Sequence, residues 1–495
     1  MTLEVQERII RRIKGAITRL EACCSGVDSP DVGIDNDTGD STAMSTNDIR
    51  DGLSRSAGDV LACYMVNVCK GCDFDEADGL NGSTNASIQA QSLVERDCVA
   101  IYSATLSRYL KLEYLGDNIV ESPKYDGADC FSISIGDLSR CFPIRNALSI
   151  LSDFCISDGV LRIDLRKHPF NFLRRIGNIL CQMCPLSRDS HIHYIAKHLT
   201  VSGAAKVVQL DNFTCSQPWV VYWSLHGLSI LGADISLYKD RAIHSLFSCW
   251  DSVSGGFGGG PGQIGHLATT YAAICCFKMF GCVNMLDTAK IRKFLFDMKQ
   301  PDGTFTVHRG GEVDVRGIYC AVASAFLLDI LDPELSEGVA ARIAMCQGYD
   351  GGIGGEPFLE SHAGYVYCGT AALKLLNSLD AIDTDRLLQW CRQRQTAELG
   401  FQGRPHKLVD VCYSFWLSGT LALLNEPINS SSDLSHLLLK AYILCISQNP
   451  GGGFRDKPTK PVDLYHTCYA LSAMEVISQP PHLSRLDIAL NILKC

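Results

Sequence analysis

The sequence predicts an all-α chain of helical-hairpin repeats over residues 186–495, behind an N-terminal extension over residues 1–185. Three observations carry that expectation. A glycine-rich turn bearing one large apolar residue recurs as Gly256-Phe257, Thr304-Phe305, Gly352-Ile353, Gly400-Phe401 and Gly453-Phe454, at successive spacings of 48, 48, 48 and 53 residues. Fourteen residues beyond each turn residue stands Tyr271, Tyr319, Tyr367, Phe415 or Cys468, inside an apolar segment such as Tyr271-Ala272-Ala273-Ile274. Ahead of each turn runs a second helix-like stretch, as in 291–298 and 436–447, and no alternating strand pattern competes with it. One unit is therefore helix, glycine turn, connector, helix, with a period of about 48 residues, somewhat longer than the common solenoid repeats. Periodicity alone leaves open whether the units stack as an open solenoid or close into a ring. The segment 219–225 (Trp-Val-Val-Tyr-Trp-Ser-Leu) reads as one more inner helix, although its preceding turn lacks glycines.

The extension is less regular. The segment from Leu3 to Leu20 places Ile9, Ile13, Ile17 and Leu20 at helical spacing and reads as a packing helix. Residues 25–60 are rich in Ser, Asp, Gly and Thr and read as a disordered linker or loop, so the extension is expected to be partly disordered. Two Cys-x-x-Cys pairs, Cys69/Cys72 and Cys181/Cys184, lack the histidine spacing that would complete a zinc finger.

Composition narrows the function. The chain has 495 residues, 46% of them apolar, enough for a large core. Its net charge of −10 argues against general binding to nucleic acid or anionic membrane, which needs a cationic surface. No apolar run is long enough to span a bilayer. Many of the 24 cysteines sit singly within apolar runs, a pattern of reduced, buried thiols that suits a cytoplasmic protein.

The reactive side chains collect at one place in the repeat. Counting from the turn residue, His266, His362 and Asp410 stand at position nine, Arg316 and Cys412 at position eleven, His466 at position twelve, and Arg404 and Lys457 at position three. Equivalent positions share one rim of the assembly, so this rim is the expected functional face. Asp410 and Cys412 are two apart and would diverge on a regular helix; they can share a metal only where the chain enters one. By spacing alone two readings stand: a capping Asp, a buried Cys and a hydrogen-bonded His, or a three-ligand metal site with an open position. The cations of the rim suit a diphosphate, and the aromatics of the inner segments suit either core packing or an apolar cavity.

These residues carry a resemblance. The segments Gly255-Gly256-Phe257-Gly258-Gly259-Gly260, Gly311-Glu312-Val313-Asp314-Val315-Arg316, Gly400-Phe401-Gln402-Gly403-Arg404, Lys407-Leu408-Val409-Asp410 and Tyr465-His466-Thr467-Cys468-Tyr469 are similar to those of the protein prenyltransferase β family, farnesyl type. The resemblance implies an α/α toroid, a closed α-α barrel, working as a heterodimer with an α subunit. It implies transfer of a farnesyl group from farnesyl diphosphate to the cysteine of proteins ending in CaaX. It implies zinc on Asp410, Cys412 and His466, which together form the catalytic centre, and magnesium on Asp456. It implies a diphosphate site of His362, Arg404, Lys407, Tyr413 and Lys457. The isoprenoid pocket would be formed by Trp219, Tyr271, Arg316, Tyr319, Ala363, Gly364, Tyr365, Cys368 and Trp416. The peptide site would use Trp219, Trp223, His266, Ala268 and Tyr465. Trp219 and Asp456 match the farnesyl-type rather than the geranylgeranyl-type pattern. Pro405-His406 departs from the family's usual Cys-Asn, and the connection after Tyr469 is shorter than usual.

Overall fold

The structure is a computed structural model. It describes residues 180–199 and 215–494, apart from 397 and 426–429, and before them short segments between 89 and 178. The Leu3–Leu20 helix, the 25–60 linker and the Cys69/Cys72 pair lie outside the described residues. The first compact unit comprises residues 1–185 with two short segments from later in the chain. It contains a helix over 89–98 and an antiparallel sheet of β1 (Lys124–Tyr125), β2 (Cys130–Ser134), β3 (Cys155–Ser157) and β4 (Val160–Asp164), in the order β1-β2-β4-β3. Strands in this region were not anticipated by the sequence reading.

The second unit comprises Leu186–Thr396, Gly400–Ile443 and Ser447–Cys495. Its helices alternate in pairs: α1 (Arg188–Leu199) and α2 (Gln217–Ile230), α3 (Lys239–Ser248) and α4 (Leu267–Met279), α5 (Thr288–Met298) and α6 (Val315–Leu327). There follow α7 (Val339–Met345) and α8 (Ala363–Leu375), α9 (Thr384–Arg392) and α10 (Cys412–Leu423), α11 (Ser430–Ala441) and α12 (Leu464–Ser478). The even-numbered helices are apolar all round and buried almost throughout, as befits an inner layer. The odd-numbered ones bury one face; in α9 that face is Leu387, Trp390 and Cys391. Each even helix packs on the next, and α12 packs back on α2. The ring is therefore closed, which periodicity could not decide.

The turns that set the period work by close approach. Phe257, Phe305, Ile353, Phe401 and Phe454 each form an antiparallel bridge to the segment after the preceding outer helix, and each is at most 1% exposed. Gly255 and Gly351 stand just before two of these anchors with φ of 82° and 89°. A Cβ on either would come within 2.7 Å of the carbonyl oxygen of Lys290 or Arg386 on the next outer helix. Glycine is thus demanded both by the left-handed backbone and by the contact.

Two further devices close the structure. At the outer seam, buried His191 of α1 accepts at Nδ1 from the Gly453 N–H at 2.9 Å, pairs through Nε2 with Gln448 Oε1 at 2.8 Å, and stacks on Phe454 at 4.5 Å. Across the ring, the hydroxyls of Tyr222, Tyr271, Tyr319 and Tyr367 donate to the carbonyls of Asn491, Leu490, Ala489 and Ile488, at 2.7, 2.8, 2.9 and 2.7 Å. Four successive inner helices thus bind four successive carbonyls of the C-terminal segment, which spans the ring as a floor.

Buried His226 completes the floor. Burial lowers its pKa to about 4, opposed by its bond to Asn491, so it is neutral at pH 7. The group's folded pKa lies below its unfolded value of about 6.5, so its contribution is complete above that pH and is lost as pH falls towards about 4. We expect apparent stability to drop by about 3 kcal/mol over that window. Denaturant midpoints at pH 7, 6, 5 and 4 check this, and His226→Gln should flatten the profile; an unchanged slope in that variant contradicts the assignment.

Candidate metal centre and active-site cleft

Position nine of every repeat caps an inner helix. The side chains of His266, Asp314, His362, Asp410 and Asp463 accept from the backbone N–H of Ala268 (3.1 Å), Arg316 (2.7 Å), Gly364 (3.1 Å), Cys412 (2.9 Å) and His466 (2.8 Å). A side-chain acceptor at the first turn satisfies one orphan donor of each helix, which explains the recurrence of Asp and His there. The cap and metal readings of Asp410 are therefore compatible, because the carboxylate that bonds the Cys412 N–H also faces Cys412 and His466.

Asp410, Cys412 and His466 converge. One ligand atom of each lies within 4.8 Å of the others, and they are the only such group of three among the described residues. Cys181 and Cys184 belong to no such group, and none of the described cysteines forms a disulfide. His466 Nε2 stands 3.3 Å from Asp410 Oδ1, while its Nδ1 pairs with Asp463 Oδ2 at 2.6 Å. Asp463 so orients the ring with Nε2 towards the cluster, the outer partner that a metal-binding imidazole usually has. Burial opposes protonation of His466, but Asp410 and Asp463 outweigh it and raise its pKa to about 10. Burial, reinforced by Asp410, pushes the Cys412 thiol well up. One carboxylate, one buried thiol and one imidazole converging in this way fit a single divalent cation.

Asp456 lies against this cluster through its backbone, its carbonyl accepting from the Val411 N–H at 3.0 Å. Burial, then repulsion from Asp410, raises its carboxyl to about 6, although Lys457 is ion-paired with it. Its Oδ1 is buried without a hydrogen-bond partner.

A cavity of about 630 Å³ adjoins these residues, lined by Tyr413 and Tyr465, the chain neighbours of Cys412 and His466. Its walls include Trp219, Trp223, Tyr271, Tyr319, Tyr365 and Trp416. Ala268, Gly364 and Cys368 lie among them. His362, Arg404 and Arg316 supply its polar side. Nδ1 of His362 accepts from the Gly364 N–H, so Nε2 carries the proton and faces the Tyr413 hydroxyl at 3.2 Å. Arg316 is held by Asp314 through Nε and Nη2 and lies over the Tyr365 ring at 5.5 Å. The remaining predicted residues are elsewhere. Ala363 is not among the lining residues; it is fully buried and its N–H bonds the Gly403 carbonyl. His266 caps α4 beside His308, Lys407 is exposed, and Lys457 is buried beside Asp456.

Residues 186–492 match the prenyltransferase alpha-alpha toroid domain. The chain belongs to that family. It is 36% identical to the protein farnesyltransferase subunit beta of Arabidopsis thaliana over 359 residues, covering 59% of this chain and 73% of the relative. It is 41% identical to the corresponding subunit of Saccharomyces cerevisiae over 321 residues, covering 63% and 73%. Among solved structures it is similar in fold to Candida albicans protein geranylgeranyltransferase-I complexed with GGPP, at a TM-score of 0.52 and 21% identity, covering 62% of this chain and 96% of that one. Among the described residues of this toroid chain, no helix is long and apolar enough to cross a membrane.

Sequence reasoning missed several residues at the site. Asp463 stands at position nine, in register with Asp410, and that register was the available signal. Glu360 lines the cavity and is ion-paired with Arg404, and Cys320 lines it one repeat before Cys368. Asn491 also lines it, from a segment outside the repeat.

Proposed function

We propose that the chain is the β subunit of a zinc-dependent protein farnesyltransferase, with residues 186–495 as its catalytic domain. The substrates are farnesyl diphosphate and a protein ending in a CaaX cysteine, and the active form is a heterodimer with an α subunit. The observation that carries this reading is the Asp410–Cys412–His466 cluster beside an aromatic cavity with a cationic side.

One oxygen, one sulfur and one nitrogen donor suit zinc and leave a coordination position open. Zinc held there would act as a Lewis acid that lowers the pKa of an incoming peptide thiol. The chain's own residues do the rest. The aromatic walls hold the isoprenoid and keep water from it. Arg404, the His362 Nε2–H and the Tyr413 hydroxyl offer donors to the diphosphate, where negative charge grows as the carbon–oxygen bond breaks. The unpartnered Asp456 Oδ1 fits a magnesium ion, which would add charge on the same diphosphate. Trp219 and Asp456 favour farnesyl over geranylgeranyl.

Competition between the two diphosphates in the assembled heterodimer, with a peptide ending in CaaX, tests the reading. We expect farnesyl transfer to dominate; preferential geranylgeranyl transfer would overturn the assignment.

A second expectation follows from the titration of the ligands. His466 and Cys412 both carry protons at pH 7 before the site is loaded. Calorimetric zinc binding in buffers of different ionisation enthalpy should show release of about two protons, and affinity should fall as pH falls. Proton-neutral binding would contradict this ligand set.

A further inference from the structure

We propose that Asn491 is a specificity-determining residue, a fixed polar stop that limits the length of isoprenoid the cavity accepts. The inference rests on the farnesyl reading above and adds a residue that lies outside the repeat.

The side chain is buried, with 2% exposure, and it lines the cavity. Its backbone has φ 48°, a left-handed conformation that asparagine tolerates better than most residues. The Tyr222 hydroxyl pins its carbonyl at 2.7 Å. The orientation of its amide follows from the bonds around it. The Ser472 hydroxyl donates to the Cys468 carbonyl at 3.1 Å, so towards His226 it can only accept. His226 Nε2, 3.1 Å from Ser472 Oγ, therefore carries the ring proton and also reaches Asn491 Oδ1 at 3.2 Å. Oδ1 thus faces His226, and Nδ2 is left without any hydrogen-bond partner.

Three consequences follow. The side chain cannot swing aside, because its backbone and its Oδ1 are both held. Its free N–H group offers nothing to hydrocarbon, so an isoprenoid end pressed against it gains no contact energy comparable to that of an aromatic wall. It also belongs to the floor segment, where the carbonyls of Leu490, Ala489 and Ile488 are bound by Tyr271, Tyr319 and Tyr367 of the cavity wall. Trp219 stands nearer the start of the same helix as Tyr222, so Asn491 acts beyond it as a second limit on chain length.

The test uses the full chain assembled with its α subunit and compares kcat/KM for diphosphates carrying fifteen-carbon and twenty-carbon chains. Asn491→Gly keeps the left-handed backbone and removes the stop; the ratio of long to short should rise by about tenfold or more. Asn491→Asp keeps both backbone and size and should stay selective for the shorter chain. Zinc content and thermal midpoint confirm that each variant is folded. If wild type itself prefers the longer chain, the farnesyl reading fails. If wild type prefers the shorter chain but folded Asn491→Gly has an unchanged ratio, or if Asn491→Asp relaxes as far as glycine does, the role of Asn491 is overturned.

Discussion

Cys412→Ala is expected to leave the purified chain without tightly held zinc and to abolish prenyl transfer in the assembled enzyme. The cysteine supplies the only sulfur of the cluster and is 3% exposed, so no other thiol can take its place from solvent. Asp463→Asn provides a graded comparison. It removes the carboxylate paired with His466 Nδ1 while leaving all three ligands, and should lower metal affinity by about 10–100-fold. Cys412→Ala should exceed that. The two variants are ranked by competition with a chelator and by single-turnover transfer; equal affinities, or full activity in Cys412→Ala, would contradict the assignment.

Gly452→Ala should be strongly destabilising. Gly452 has φ 96°, and a Cβ there would overlap the Ser190 carbonyl oxygen and press on Tyr194 in α1. Both groups belong to the seam that His191 holds together, so neither can retreat without opening the outer layer. Left-handed strain of about 1–2 kcal/mol and overpacking of about 1–3 kcal/mol give an expected loss of about 2–5 kcal/mol. Gly262→Ala is the control. It has φ 74° but nothing within 4 Å of its Cβ, so only the strain applies. Denaturant midpoints should separate the two; coincident midpoints would mean that the seam yields.

The difference between what the sequence disclosed and what it did not has a physical basis. Asp410, Cys412 and His466 were legible because a repeat translates sequence position into place: units one period apart present the same helix entrance. Position nine held more than was read from it, since Asp463 occupies the same capping register and turns His466 towards the cluster. Tyr271 and Tyr319 at position fourteen were legible as aromatic cavity residues, and they do line the cavity, but their hydroxyls also bind the floor carbonyls. That use was hidden because its partners, Ile488 to Asn491, lie in a short segment with no periodicity. Ring closure was hidden for a similar reason. It depends on the small rotation between units and on the contact of α12 with α2, neither of which leaves a mark on spacing.

X-ray absorption at the zinc edge of the full chain, purified with its α subunit, tests the proposed metal centre most directly. Asp410, Cys412 and His466 predict one sulfur scatterer at about 2.3 Å with nitrogen and oxygen scatterers at about 2.0–2.2 Å. A shell without sulfur, or one with two or more sulfurs, would place the metal on other residues and contradict the account.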